Sequence, residues 1–247
     1  PRIRRAAPPL IRLRHCDRRT HISANSSIPR ERITGLVLAG GRGSRFGGVD
    51  KGLQPFLGQP LAQRALERLR PQVGPLAISA NRNVPTYEGW GVPVWSDSLE
   101  AFPGPLAGML TGLERMQTEW LLTVPCDSPL FPADVVQRLA AAAMQNNSQV
   151  AFATAPQTEA DGAVEMRSHP VFCLLHGDLR ASLADYLASG SHRVMHWLTR
   201  QTHCTVAFDQ VQDDPHAFAN TNTPEDLQQL EQLHGARETS PRTAPGT

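Results

Sequence analysis

The chain comprises 247 residues, 40% of them apolar and 19% charged, with a formal net charge of +1. These values suit one globular α/β domain or a small pair, and no run approaches the roughly 18 consecutive apolar residues of a membrane span. The four cysteines, Cys16, Cys126, Cys173 and Cys204, are too scattered for a disulfide framework or a zinc site, which points to reduced thiols in a cytoplasmic protein.

The near-neutral total hides an asymmetry. Residues 1–32 carry nine arginines against Asp17 and Glu31, a net +7, and the remainder is net −6. An Arg-rich, acid-poor arm has the composition of a transit peptide or of a tether to nucleic acid or membrane. Neither nucleic acid nor a membrane is expected as a partner. The arm has no apolar core of a secretory signal, and the first methionine is Met109, deep in the patterned region. Residues 1–32 are expected to be a disordered basic leader, and the sequence leaves open whether that leader belongs to the native protein.

The first strand is read at Ile33–Leu38, which runs directly into Leu38-Ala39-Gly40-Gly41-Arg42-Gly43-Ser44-Arg45-Phe46-Gly47-Gly48-Val49-Asp50-Lys51. Five glycines in these fourteen residues let backbone N–H groups approach an anion, and Arg42, Arg45 and Lys51 add positive charge. A strand ending in such a loop suits a nucleoside triphosphate. Two common phosphate loops are excluded by spacing. A Walker A loop needs Gly-Lys-Ser/Thr, whereas Lys51 stands between Asp50 and Gly52. A dinucleotide fingerprint needs glycine at its sixth position, which counted from Gly41 is Phe46, and the second strand ends on Asn81 where a ribose-binding acid belongs.

A helix follows Pro60 to about Arg70, with Leu61, Ala65, Leu66 and Leu69 on one face. Strands are read at Leu76–Ala80 and Val92–Ser96, a helix at Pro105–Met116, a fully apolar strand at Trp120–Val124 and a helix at Pro132–Met144. Strands at Val150–Thr154 and Val171–Leu175 follow, then a helix carrying Leu179, Leu183 and Leu187. A helical stretch at Val194–Gln201, a strand at Thr205–Asp209 and a helix at Pro224–His234 complete the pattern. The alternation predicts a Rossmann-like, doubly wound α/β fold whose mostly parallel sheet is covered on both faces. Residues 33–234 are read as one domain and 235–247 as a flexible tail.

Ligands of doubly wound sheets collect at the carboxyl ends of the strands. There the second strand delivers Ser79, Asn81 and Arg82, the third Ser96-Asp97-Ser98, and the fourth Pro125-Cys126-Asp127-Ser128-Pro129. Asp127 ends a strand too apolar to be an exposed edge. It is the candidate ligand of Mg²⁺, a hard ion that takes carboxylate and phosphate oxygens. Its alternative role, capping the Pro132 helix, is weakened by the nearer Asp134. Asp97 reads as a site residue or as a turn, and Lys51 as an α-phosphate contact through its flexible ammonium. Further on, Arg167-Ser168-His169-Pro170 precedes a strand, and His192-Arg193 opens a helix, where a phosphate binds readily. Asn220 and Asn222 precede a helix whose Thr223 and Asp226 form a capping box with Pro224 at its first position. Their amides serve a substrate, a metal or an Asx-turn.

In this order the motifs resemble those of the molybdenum cofactor guanylyltransferases. They are Leu38-Ala39-Gly40-Gly41, the stretch from Gly47 to Leu53, Ser96-Asp97-Ser98, the stretch from Pro103 to Gly108, and Pro125-Cys126-Asp127. His169-Pro170, Arg193-Val194-Met195 and the stretch from Asn220 to Pro224 follow, so the resemblance covers about residues 33–234. It implies a nucleotide half, about 33–145, and a cofactor half, about 146–234. The implied activity is Mg²⁺-dependent transfer of GMP from GTP to molybdenum-molybdopterin, giving the guanine dinucleotide cofactor and pyrophosphate. By this resemblance Leu38, Ala39, Gly40, Lys51, Asp97 and Asp127 contact GTP and Asp127 holds the metal; Gly41, Arg42, Ser79 and Asn81 are read as further GTP contacts, and Lys51, Asp127 and Arg45 as catalytic. Family members commonly carry Asn where this chain has Ser79, and Asn81 lies two residues on along the same face. His169, Arg193, Asn220 and Asn222 are the candidates for molybdopterin. The protein is expected to be a monomer that meets other cofactor-assembly proteins and apo-molybdoenzymes.

A molybdopterin phosphate is already ionised near neutral pH, so its attack on the α-phosphorus needs no general base. Positioning and charge neutralisation then carry the reaction. The rivals are a cytidylyltransferase or sugar-phosphate nucleotidyltransferase of the same fold, and a non-catalytic carrier of the finished cofactor. Members using CTP tend to show Leu-Ala-Ala-Gly, so Gly40 favours guanine; Lys51 together with Asp127 favours an enzyme over a carrier.

Overall fold

The computed structural model describes residues 27–40, 49–97, 104–158 and 162–238. After a 3₁₀ turn at Arg30–Arg32, the elements are β1 (Ile33–Leu38), the short hairpin β2 (Pro55–Phe56) and β3 (Gln59–Pro60), α1 (Leu61–Leu69), β4 (Leu76–Ser79) and α2 (Val84–Glu88). Next come β5 (Val94–Trp95), α3 (Pro105–Arg115), β6 (Trp120–Pro125), α4 (Val135–Asn146), β7 (Val150–Thr158) and β8 (Val164–His176). The chain closes through α5 (Arg180–Ala188), α6 (Val194–Leu198), β9 (His203–Ala207) and α7 (Pro224–Glu238).

Seven strands form one sheet in the order β5-β4-β1-β6-β8-β7-β9. The pairs β4–β5, β1–β4, β1–β6 and β7–β9 are parallel, so the fold is the doubly wound, mostly parallel α/β architecture that the alternation predicts. Successive residues of the central strands feed opposite faces, as a period of two requires. Val37, Leu122 and Val124 pack with α1 and α4 on one side. Leu36 and Leu121 pack with α3, α5 and α6 on the other. Burial of both faces explains why β1 and β6 read as largely apolar runs, each broken by a buried threonine, Thr34 or Thr123. A third, smaller cluster joins Phe56, Leu61 and Leu130 to Leu227 and Leu230 of α7, which clamps the β2–β3 hairpin against the C-terminal helix.

Four expectations need correction. First, the strand expected at Val171–Leu175 is the last part of a thirteen-residue strand that runs antiparallel to both β6 and β7. His169-Pro170 therefore lies within this strand and does not precede it. The ladder jumps from Phe152↔Cys173 to Ala153↔His169, leaving Pro170, Val171 and Phe172 as a bulge. A bulge accommodates a proline that has no N–H to give to a ladder. The Thr123 hydroxyl replaces a ladder bond there by donating to the Val171 carbonyl at 2.6 Å. Second, residues 27–32 are not leader-like: Ile28 is buried in the core, and the Gly74 amide bonds the Arg30 carbonyl at 2.8 Å. Third, α7 continues to Glu238, into the segment expected as tail. Fourth, the helix expected from Pro132 begins at Val135, with Asp134 at the N-cap position but no side-chain capping bond. The capping box forms as expected. The Asp226 amide bonds Thr223 Oγ1 at 3.1 Å, and the Thr223 amide bonds Asp226 Oδ2 at 2.9 Å.

Candidate active site

A cavity of about 1180 Å³ opens over the carboxyl ends of the parallel strands. Strand order lays its wall out in sequence. Asp97 follows β5, Ser79 and Asn81 come from β4, and Leu38, Ala39 and Gly40 from β1; Asp127 follows β6, and the β8 bulge brings His169. Ligand pockets usually run to roughly 300–1,000 Å³, so this cleft is large.

At its centre the Lys51 ammonium donates to Asp127 Oδ2 at 2.6 Å and to Asn222 Oδ1 at 2.9 Å. Lys51 is the only lysine in the sequence; its flexible point charge is not reproduced by arginine's rigid planar fork. It stands in a 3₁₀ turn, Lys51–Leu53, capped by Asp50. Asp127 is held by its own carbonyl, which accepts from the Thr221 amide at 2.9 Å and the Thr221 hydroxyl at 3.1 Å. Ser128 Oγ donates to Asn220 Oδ1 at 2.6 Å. Three consecutive residues thus grip the Asp127 turn and the lysine. In this arrangement the side-chain carbonyls of Asn220 and Asn222 are engaged with protein partners; Asn220 still lines the cavity.

At the β5 end, Asn81 Nδ2 donates to Asp97 Oδ2 at 2.7 Å, and the Asp97 amide donates back to Asn81 Oδ1 at 2.8 Å. Ser79, itself buried, approaches Asp97 Oδ1 at 3.4 Å. A carboxylate fixed in this way accepts donors such as a sugar hydroxyl or a purine N–H. The α3 helix reaches this wall because of Gly108. A Cβ there would lie 2.7 Å from Ser79 Oγ and 2.8 Å from Leu38 Cδ2.

At the β8 end, His169 stacks on Phe218 with ring centroids 4.7 Å apart, and burial lowers its pKa below the ordinary 6.5, so it is neutral near pH 7. The Cys126 thiol is pushed far up, first by burial and then by the adjacent Asp127 carboxylate, and is no nucleophile. Arg193 is the N-cap residue of α6 and its carbonyl accepts from Tyr186; it is not part of the cavity wall. Gly41, Arg42 and Arg45 lie outside the described residues, as does Ser98.

Sequence reasoning gave no role to Asp50, to the β8 bulge residue Phe172 or to Gly108. Gly108 carried a signal, a glycine on the inward face of a helix opened by Gly104-Pro105; the other two became visible only with the long-range contacts.

Among the described residues no group of three or more His, Cys, Asp or Glu side chains forms a metal cage. A hard divalent ion bridging to a ligand's phosphates takes one or two protein carboxylates and otherwise phosphate and water oxygens. Asp127, whose Oδ2 accepts from Lys51, is a cavity-lining carboxylate that could hold one.

The sheet, the large cleft over its strand ends and the Lys51–Asp127 pair in that cleft suit an enzyme that transfers nucleotides. The family model described as the MobA-like NTP transferase domain matches residues 35–240, and the chain belongs to that family. It is 56% identical over 202 residues to the molybdenum cofactor guanylyltransferase of Acidovorax sp. (strain JS42), covering 81% of this chain and 96% of the relative. It is 51% identical over 204 residues to that of Bordetella pertussis, covering 83% and 99%. Its fold is shared with the molybdopterin-guanine dinucleotide biosynthesis protein A of Archaeoglobus fulgidus (TM-score 0.65, 18% identity, 82% and 99% covered). It is likewise shared with a CMP:2-keto-3-deoxy-manno-octonic acid synthetase complexed with CTP (TM-score 0.63, 12% identity, 83% and 98% covered).

Proposed function

We propose that the chain transfers GMP from GTP to molybdopterin carrying molybdenum, with release of pyrophosphate. The observation that carries this reading is the Lys51–Asp127 pair at the midpoint of the cavity, between the Asp97 end and the β8 end. GTP lies along the β5-β4-β1 side, its base toward Ser79, Asn81 and Asp97 and its α-phosphate at Lys51. Molybdopterin lies toward His169 and Asn220. Its terminal phosphate oxygen attacks the α-phosphorus; a new P–O bond forms, the bond to the β-phosphate bridging oxygen breaks, and pyrophosphate leaves with that electron pair. Phosphate monoesters have a second pKa near 6, so the nucleophile is anionic without a base.

Lys51 neutralises charge that develops at the α-phosphate, and its bonds to Asp127 and Asn222 hold it there before reaction begins. A Mg²⁺ on Asp127 would supply Lewis-acid neutralisation of the phosphate oxygens. Arg42 and Arg45 are assigned the β- and γ-phosphates on the charge of their loop. His169, neutral and stacked, offers a flat apolar wall to a pterin. The cytoplasm, where GTP and apo-molybdoenzymes are found, is the compartment this reading implies.

The deciding experiment follows pyrophosphate released by the purified protein with molybdopterin and either GTP or CTP, with and without Mg²⁺. Release with GTP that requires both molybdopterin and Mg²⁺ is expected. Preference for CTP, or tight binding of finished cofactor without any pyrophosphate, overturns the reading.

A further inference from the structure

Among the described residues the only buried charged side chain is that of Asp50, 6% exposed, and the mechanism above gives it no part. A buried carboxylate is costly unless its oxygens are bonded, and an apolar residue of similar size is often at least as stable in such a place. Asp50 is fully engaged. Oδ1 accepts from the Tyr87 hydroxyl at 2.8 Å and from the Gly52 amide at 3.1 Å, and Oδ2 accepts from Asn83 Nδ2 at 2.9 Å. Burial first, and the bond to Asp50 next, hold the Tyr87 phenol in its protonated, donating form.

The surroundings are shaped around this contact. A Cβ at position 52 would lie 2.5 Å from the Tyr87 hydroxyl, so glycine is what lets Tyr87 reach Asp50. Asn83 holds φ at +50°, a left-handed conformation that costs a non-glycine residue of order 1 kcal/mol, while donating its amide to Asp50. The backbone of residue 50 is tied as well. Its carbonyl accepts from the Leu53 amide at 3.2 Å and from Gln54 Nε2 at 3.3 Å. The residue fixed at both ends in this way is the one immediately before Lys51.

We propose that Asp50 is a positioning residue for Lys51. Its carboxylate, held by Tyr87, Asn83 and the Gly52 amide, fixes the turn from which the single lysine reaches Asp127 and the α-phosphate of a bound nucleoside triphosphate. The proposal rests on the role given to Lys51 above.

The test uses two variants, Asp50→Asn and Tyr87→Phe, in the full chain, at a temperature where circular dichroism shows both folded. Because the sequence has one lysine, acylation of its ε-amine by an N-hydroxysuccinimide ester, followed by peptide mass spectrometry, reads the placement of Lys51 directly. Acylation is expected to quicken about fivefold in either variant, the effect of one ordinary hydrogen bond on a local equilibrium. In the pyrophosphate assay kcat should fall about tenfold with KM for GTP little changed, the pattern of a contact made in the transition state. Asp50→Asn should cost nothing further in a Lys51→Ala background, because the two then act as one unit. A purely structural Asp50 would lower the melting temperature yet leave Lys51 acylation unchanged and add its full kinetic cost in that background; either result overturns the proposal. If the parent protein releases no pyrophosphate from GTP and molybdopterin, the guanylyltransferase reading fails, while acylation still decides the part played by Asp50.

Discussion

Gly40→Ala separates the site from the scaffold more cleanly than any other single change. A Cβ built at Gly40 finds its nearest neighbours, Asn81 Nδ2, Ser79 O and Ser79 Oγ, at 3.6, 3.8 and 3.9 Å, all ordinary contact distances. Among the described residues nothing need move to accommodate the methyl, and Gly→Ala at a compatible backbone position reduces the freedom of the unfolded chain, stabilising by about 0.4–1 kcal/mol. The free energy of unfolding should therefore hold or rise slightly. The methyl does, however, enter the wall that the proposed function assigns to the nucleotide. One extra methyl in a filled site costs about 1–3 kcal/mol, or about tenfold to a hundredfold in kcat/KM for GTP. CTP carries a one-ring base and leaves more room, so the ratio of GTP to CTP turnover should shift toward CTP. Urea unfolding and parallel pyrophosphate assays with each nucleotide measure the two halves of the argument. GTP turnover within about twofold of the parent, or a stability loss above about 1 kcal/mol, would refute it.

Gly108→Ala should do the reverse and act on the scaffold. Its Cβ would stand 2.7 Å from Ser79 Oγ, so α3 must retreat, at about 2 kcal/mol in urea unfolding and about 4–8 °C in melting temperature. Asn222→Ala removes the bond from the Lys51 ammonium to Asn222 Oδ1. Such a bond to a charged group contributes about 1.5–3 kcal/mol, and partial access of water to Lys51 discounts this to about a tenfold fall in kcat. Stability should hold, because the link from residue 222 to Asp226 uses the backbone amide. His169, whose pKa is lowered by burial, binds its proton more weakly folded than unfolded. Stability should accordingly fall as pH drops below about 6.5 and level off once pH passes below the folded value. Urea midpoints at pH 7.5 and 5.5 should differ more in the parent than in His169→Gln.

The parts of the molecule legible in sequence are those where local pattern and tertiary demand coincide. β1 and β6 are buried on both faces and read as apolar runs. The face of α1 carrying Leu61, Ala65, Leu66 and Leu69 is almost wholly buried. The loop after β1 and Asp127 at the end of β6 were visible because doubly wound sheets put their ligands there. β8 was not legible over its first half, because its apolar residues there, Val164 and Met166, are few and exposed and face no core, and the antiparallel sense of a strand leaves no mark on its composition. The role of Asp50 was hidden for another reason. Its side-chain partners Asn83 and Tyr87 stand 33 and 37 positions away, and nothing near an Asp in a glycine-rich stretch signals that it will be buried.

The contact between Lys51 and Asn222 spans 171 positions, and that between Lys51 and Asp127 spans 76. Non-local contacts of this kind form late, after the entropy of closing the intervening chain has been overcome. A chain still on the ribosome can assemble β1, β4 and β6 and display the glycine-rich loop. Until residues 220–222 have emerged and docked on the Asp127 turn, Lys51 cannot reach Asn222. The wall assigned above to the nucleotide can thus form before the contacts that residues 220–222 make with Asp127 and Lys51. Stalled or truncated chains are then expected to bind nucleotide without consuming it.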